Sequence, residues 1–196
     1  MPEHLKADDL RPVLSQDSPT QLIDGPRAAV ASVFRQGDEG TELLFIQRAT
    51  KDADPWSGQM AFPGGRVETS DRDSFHTAER ETWEEVGLDL APADRLGSLD
   101  ELDGGRATNR LVAVNAHAYW LPGESPQLRP NYEVAHVLWV PLTVLADHDR
   151  YIDYHYPRSG SDFPGIQLDR EGQVIWGLTL RFLSDLFRRL EIPFIT

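Results

Sequence analysis

The sequence contains no cysteine. Disulfides, thiolate nucleophiles and zinc–thiolate sites are thereby excluded, and the absence is compatible with a cytosolic chain. Positive charge is also scarce. Nineteen Lys and Arg stand against 32 Asp and Glu, for a formal net charge of −13. A chain this acidic has no global attraction for nucleic acid or for an anionic membrane. If its substrate carries phosphate, a divalent cation or a local group of arginines must offset the repulsion. No apolar run approaches the ~18 residues that a membrane helix needs. The opening residues, MPEHLKADDLRPVL, lack a basic stretch followed by an apolar core, so no secretory leader is predicted. The expected location is cytoplasmic, with neither membrane nor nucleic acid as partner.

What is present suits one globular domain. The chain has 196 residues, 40 % apolar and 26 % charged, which permits a core of ordinary size. Residues 1–26 mix charge, proline and polar groups and read as an N-terminal arm; residues 27–196 read as the domain. RAAVASVFR and ELLFIQR (Glu42 to Arg48) are β-favouring runs around a QGDEGT turn, which predicts a hairpin. MAF is a short strand entering Pro63-Gly64-Gly65. Residues 74–86 predict a helix ended by Gly87, with Asp71 and Asp73 placed to cap its start and Phe75, Ala78, Thr82 and Val86 facing inward. LVAVNAHAYWL, HVLWVPL, YIDYHYP, FPGIQLD and GQVIWG read as further strands, LTVLA as a short helix, and LTLRFLSDLFRRL as an amphipathic helix. Strands, a helix, more strands and a last helix predict an α+β domain, an α/β/α sandwich with a mixed β-sheet.

The segment RETWEEVGL concentrates charge. At about 100° per residue Glu81, Glu84 and Glu85 share one helix face. Like charges at this spacing cost a few tenths of a kcal/mol per pair, which Arg80 relieves in part by pairing with Glu84. Such a face is either simply solvated or the natural ligand set of a hard, oxygen-preferring cation. The glycines just upstream, Gly64 and Gly65, favour the second reading, because residues without side chains let backbone and ligand approach closely.

Gly65 to Leu88 resembles the Nudix box, a glycine followed by spaced acidic positions and then R-E-apolar-x-E-E-x-G-apolar. Gly65, Arg80, Glu81, Glu84, Glu85, Gly87 and Leu88 match it. Asp71 stands where the family usually has Glu, one extra residue separates it from the arginine, and Thr82 replaces an aliphatic residue. The resemblance implies a Nudix fold and hydrolysis of a diphosphate linked to another moiety, with Mg²⁺ or Mn²⁺. It implies Glu81, Glu84 and Glu85 as metal ligands, joined by a carbonyl of Gly64 or Gly65, and Arg80 as the group that orients the glutamates. Such an ion neutralises and orients the diphosphate and lowers the pKa of a coordinated water. The general base is Glu85 or Glu133, with His76 and His117 as weaker candidates.

The resemblance extends, from Ala28 to near the C-terminus, to the branch that includes coenzyme A pyrophosphatases. LLFIQRA, GQMAFPGG, NYEVAHVLWVPL and VIWGLTLRFL carry it. DPWSGQ departs from it: Asp54 and Trp56 stand where that branch has an arginine and often a histidine. Arg48 and Lys51 are cations near in sequence. Trp56 is either a packing residue or a ring that stacks on a substrate base. The expected substrate is a small nucleotide diphosphate derivative, coenzyme A or an acyl-coenzyme A first, with Arg48, Trp56 and Gly64 binding it. The alternatives are a nucleotide sugar, ADP-ribose, a dinucleotide or a (d)NTP, or a non-catalytic nucleotide-binding regulator. Related enzymes are often dimers, and residues 1–26 and YIDYHYP are candidate homodimer contacts.

Overall fold

In the computed structural model, which describes residues 5–14, 23–51, 56–104, 111–123, 126–168 and 173–195, the first two apolar runs form the expected hairpin. β1 (Arg27–Gly37) and β2 (Gly40–Arg48) pair antiparallel, with Gly37 opposite Gly40 at the turn. β3 (Met60–Ala61) pairs with β2, and β4 (Gly64–Arg66) with β1. β5 (Asp94–Ser98) and β6 (Leu102–Asp103) run antiparallel to β7 (Ala113–Leu121), and β8 (Val134–Pro141) antiparallel to β2. β7 lies parallel to β1. One parallel ladder among antiparallel ones makes this eight-stranded sheet mixed.

Side chains alternate across a strand, and the two faces of this sheet bury different helices. Ala29, Ala31 and Val33 of β1 and Leu44 and Ile46 of β2 form one core with Ala78 and Val86 of α2 (Ser74–Val86). The small β1 side chains there let α2 lie close to the sheet. Phe34, Leu43 and Phe45 face the other way and pack with Leu180, Phe182, Leu183 and Leu186 of the C-terminal helix, Gly177–Arg189. The architecture is therefore an α/β/α sandwich. Leu10 and Leu14, from the short α1 (Ala7–Leu10) and its continuation, join this second core, and Arg189 donates to the Val13 carbonyl at 3.0 Å. Residues 1–4 and 15–22 of the expected arm lie outside the described residues. Among those described, no helix is long and apolar enough to cross a membrane.

β8 leads through α3 (Leu142–Leu145) into a separate three-stranded sheet, β9 (Tyr151–Tyr156), β10 (Ser161–Gln167) and β11 (Val174–Trp176), which runs directly into α4, the C-terminal helix. The three tyrosines of β9 divide between its faces. Tyr154 and Tyr156 pack on Trp176, with ring centroids 5.2 and 4.5 Å away, while Tyr151 packs on Phe194 at 5.8 Å.

α2 starts and stops where local chemistry dictates. The Asp73 carboxylate accepts the His76 N–H at 2.8 Å, and Gly87 ends the helix in the left-handed region at φ 67°. Asp71, the other expected cap, is used elsewhere. The buried face is Thr77, Ala78, Thr82, Glu85 and Val86, so it takes in a glutamate, and Phe75 is only half-buried. Thr82 is tolerated there because its hydroxyl donates to the Ala78 carbonyl at 2.6 Å.

His117, on β7, is 0 % exposed. Its Nδ1 lies 2.8 Å from Ser98 Oγ and its Nε2 2.9 Å from Ser74 Oγ, with the ring stacked on Phe75 at 3.8 Å. Burial depresses its pKa to about 4. These contacts make it a structural tie between α2 and the sheet, not a free acid–base group. An unfolded histidine binds its proton near pH 6.5, so unfolding takes up a proton between that pH and about 4. The stability that His117 contributes is complete above pH 6.5 and falls as pH drops, at up to about 1.4 kcal/mol per pH unit. Urea unfolding from pH 7.5 to 4.5 is expected to show a shallower pH slope for His117→Gln than for wild type; identical slopes would refute this.

Candidate active site

The site begins with two close approaches at glycines, the first of which only glycine permits. Gly64 has φ +154°, and a Cβ there would sit 2.3 Å from the Ala29 carbonyl oxygen and 2.5 Å from Val30 Cα. At this position β4 can therefore press against β1 only without a side chain. At Gly65 a Cβ would meet Glu81 Oε1 at 2.3 Å. The PGG turn thus fixes how near the acidic face of α2 comes to the strand.

Glu85 is 3 % exposed, and its Oε2 accepts the Gly64 N–H at 2.9 Å. Burial pushes its pKa up to about 7, against the pull of that N–H and of Arg48. Glu81 is half-buried and is also raised by burial, with Arg80 opposing. Glu84 is the outermost of the three, with its side chain 52 % exposed.

Arg80 organises this face. Its Nη1 reaches Glu81 at 3.0 Å and Glu84 at 3.2 Å, the latter as the expected i,i+4 pair. Nη2 donates to the Arg66 carbonyl of β4 at 3.1 Å. Nε and Nη2 together grip Asp71, at 3.0 and 2.9 Å. The Asp71 side chain is fully buried and also accepts from Thr77 Oγ1 and the Glu68 N–H, each at 2.9 Å. These donors, Arg80 foremost, hold its carboxyl far below the usual carboxylate range. Asp71 is an anchor for Arg80, a role that its place before the helix does not reveal. His76 Nδ1 lies 3.2 Å from the same carboxylate.

Glu133 reaches the neighbourhood from the β7–β8 side. It is close enough to raise the Glu85 pKa, and its Oε1 is ion-paired to Lys51 Nζ at 2.7 Å. The loop before it closes the end of α2. Arg129 N–H donates to the Val86 carbonyl at 2.7 Å, and Asn131 N–H and Nδ2 donate to the Glu85 and Glu84 carbonyls, each at 2.8 Å. Asn131 Oδ1 also accepts the Glu133 N–H at 2.7 Å. Asn131 therefore ties Glu133 to the helix that carries the acidic face. Sequence reading missed it; the only signal was an Asn two residues before the glutamate, a spacing typical of an Asx turn.

Of the expected binding residues, Arg48 lies near Glu85. Trp56 is elsewhere: it lines a cleft on the α4 side, together with Trp176 and Leu178. Asp54 lies outside the described residues.

Among the described residues, no three acidic or histidine side chains are arranged to hold a metal ion as they stand, and Arg80 engages two of the three glutamates. The donor chemistry nonetheless fits a hard divalent cation. It offers a buried carboxylate, a second lying over Gly65 and a third at the rim.

Residues 25–158 match the family model described as NUDIX domain. A 131-residue stretch is 37 % identical to an uncharacterized protein of Schizosaccharomyces pombe, covering 59 % of this chain and 40 % of that protein. A 149-residue stretch is 28 % identical to the uncharacterized Nudix hydrolase NudL of Yersinia pestis, covering 76 % of this chain and 73 % of that one. Among solved structures, the MutT/nudix family protein from Enterococcus faecalis superimposes with a TM-score of 0.59 at 18 % identity, over 89 % of this chain and 65 % of that chain. That last likeness is one of fold. The chain spans about two fifths of the length of the fission-yeast relative and less than two thirds of the Enterococcus chain.

Asp71→Asn removes the charge that the Arg80 fork is built around. We expect a stability loss of about 2–3 kcal/mol in urea unfolding, and a fall in turnover greater than that of Glu68→Gln, whose contact with this cluster is peripheral. A neutral effect on both would show that Arg80 is positioned without Asp71.

Proposed function

The chain belongs to the Nudix family, and from that premise we propose that it hydrolyses the diphosphate linkage of a nucleoside diphosphate derivative, with coenzyme A or an acyl-coenzyme A as the leading substrate. The observation that carries this reading is the buried Glu85 carboxylate seated on the Gly64 N–H, inside a face of three glutamates whose other two are held by one arginine. A surface that is only solvated has no reason to bury one of its charges. The coenzyme A preference rests on the sequence segments upstream and downstream of the acidic helix.

Glu81, Glu84, Glu85 and the carbonyl of Gly65 would hold Mg²⁺ or Mn²⁺. Such an ion, when bound, neutralises the diphosphate and makes water a usable nucleophile near neutral pH. The protein's own residues do the positioning. Gly64 and Gly65 keep the floor of the site free of side chains, so that phosphate oxygens come close to the backbone. Arg48 places positive charge beside Glu85 in a chain that is otherwise acidic. Arg80 holds Glu81 and Glu84 ready on one side while Asp71 holds Arg80 from behind. Glu133 is engaged by Lys51, which leaves Glu85 the better-placed acceptor: Oε2 stays on the Gly64 N–H while Oε1 takes the proton of the attacking water. Phosphoryl transfer needs little more than this positioning and charge neutralisation.

The test is a substrate panel with product identification. Coenzyme A is expected to give 3′,5′-ADP and a phosphopantetheine, faster than ADP-ribose, a dinucleotide, a nucleotide sugar or a dNTP is turned over. Excess chelator is expected to abolish all turnover, and Glu85→Gln to lower kcat by about 100-fold or more. Normal turnover in chelator, or an unchanged Glu85→Gln, would overturn the mechanism. Inactivity on coenzyme A beside good activity on another panel member would overturn the substrate assignment alone.

A further inference from the structure

The three-stranded sheet carries aromatic residues that the acidic face does not use. Tyr154 and Tyr156 share one face of β9, Phe163 stands opposite Tyr154 in the ladder, and Trp176 ends β11 beside them. Trp176 is the hub, 5.2 Å from Tyr154, 4.5 Å from Tyr156 and 5.3 Å from Phe163, at tilts of 42–43°. All four remain partly exposed. Tyr156, Phe163 and Trp176 form one wall of a cleft of about 590 Å³ whose other walls include Trp56 and one side of α4; Tyr154 supports Trp176 from outside it. That volume lies within the range of small-molecule sites, about 300–1,000 Å³. Arg158 and Arg181 also line the cleft, two guanidinium groups in a chain of net charge −13. Flat π faces together with guanidinium groups suit a ligand that is planar and anionic; an aliphatic chain would use neither.

The cleft is joined to the reaction site by a single turn. The Gln59 carbonyl accepts the Arg48 N–H at 3.0 Å, and the Gly58 carbonyl accepts from Gln47 Nε2 at 3.3 Å. Gln47 Oε1 in turn accepts from Gln173 Nε2, just before β11, at 3.1 Å. The turn that puts Trp56 into the cleft therefore also holds the strand end bearing Arg48, and then runs on through β3 into the Gly64–Gly65 floor.

We propose that this cleft is a nucleobase subsite, in which the base of a nucleotide stacks against Trp56 and Trp176 and its phosphate faces Arg158 and Arg181. The identity of the ligand rests on the nucleotide-hydrolase reading above; the binding itself can be measured without turnover. The full chain, held in chelator, is titrated by calorimetry and tryptophan fluorescence with AMP, with ribose 5-phosphate as the base-free control and octanoate as the aliphatic one. AMP is expected to bind and quench tryptophan emission, at least about 10-fold more tightly than either control. Trp176→Leu and Trp56→Leu are each expected to weaken AMP by about 10- to 100-fold. Trp56, on a turn, is the variant that retains the fold if Trp176→Leu does not, as judged by circular dichroism. AMP no tighter than ribose 5-phosphate, AMP affinity unchanged in Trp56→Leu, or octanoate as the tightest ligand would each overturn the proposal. If the wild type hydrolyses nothing in the panel, the AMP titration still decides the cleft; if it hydrolyses nucleotides while Trp56→Leu binds AMP normally, only the cleft assignment fails.

Discussion

One guanidinium sets the geometry on which the acidic site depends. Arg80 binds a carboxylate in the loop before α2, a carbonyl on β4 and two carboxylates on its own helix. The five N–H groups of an arginine lie in one rigid plane, so these partners take their spacing from it. Lysine, a point charge on a flexible stem, could not fix them together. The fork to Asp71 is buried and the links to Glu81 and Glu84 lie further out, so the guanidinium is anchored on its protein side and carries the site's charges on the other.

That arrangement answers how an acidic protein tolerates three clustered glutamates. Glu84 stays in solvent, Glu81 is partly covered, and Glu85 is buried and met by a backbone N–H. In the function proposed above, the repulsion left over would favour taking up a cation. The loop at 129–131 keeps the last turn of α2 from fraying by satisfying the carbonyls of Glu84, Glu85 and Val86, which would otherwise want partners at a helix end.

How much of this was legible in the sequence follows from how local each signal is. α2 was readable because its cap, Asp73, and its stop, Gly87, act within a few residues of the helix. The β1–β2 hairpin was readable for the same reason. The roles of Asp71 and Asn131 were not, because each depends on where a loop folds back: Asp71 meets Arg80 across nine positions, and Asn131 meets Glu84 across 47. Arg27 and the buried Glu101 form an ion pair across 74 positions that no spacing announces. Trp56 could be flagged as a ring in a loop, but its neighbours come from β11 and α4, more than a hundred residues downstream, so the layer of the sandwich it joins could not be read from its own surroundings. The glutamate pattern was legible as a set; that Glu85 alone is buried was not, since the periodicity of α2 suggested an apolar stripe that excluded it.

The parallel ladder between β1 and β7 has a kinetic side. Arg27 pairs with Ala113, so forming that ladder closes a chain loop that contains both glycines of the floor, the whole of α2 and the turn carrying Trp56. Long loops of this kind cost entropy before their contacts return it, and parallel pairing is slow to nucleate. Until β7 docks, α2 lacks the strand whose His117 and Tyr119 it packs against. A nascent chain halted before that strand would hold all three glutamates and their arginine in sequence, yet lack part of the surface that presses them together. The competence of the site is thus tied to the slow, non-local part of folding.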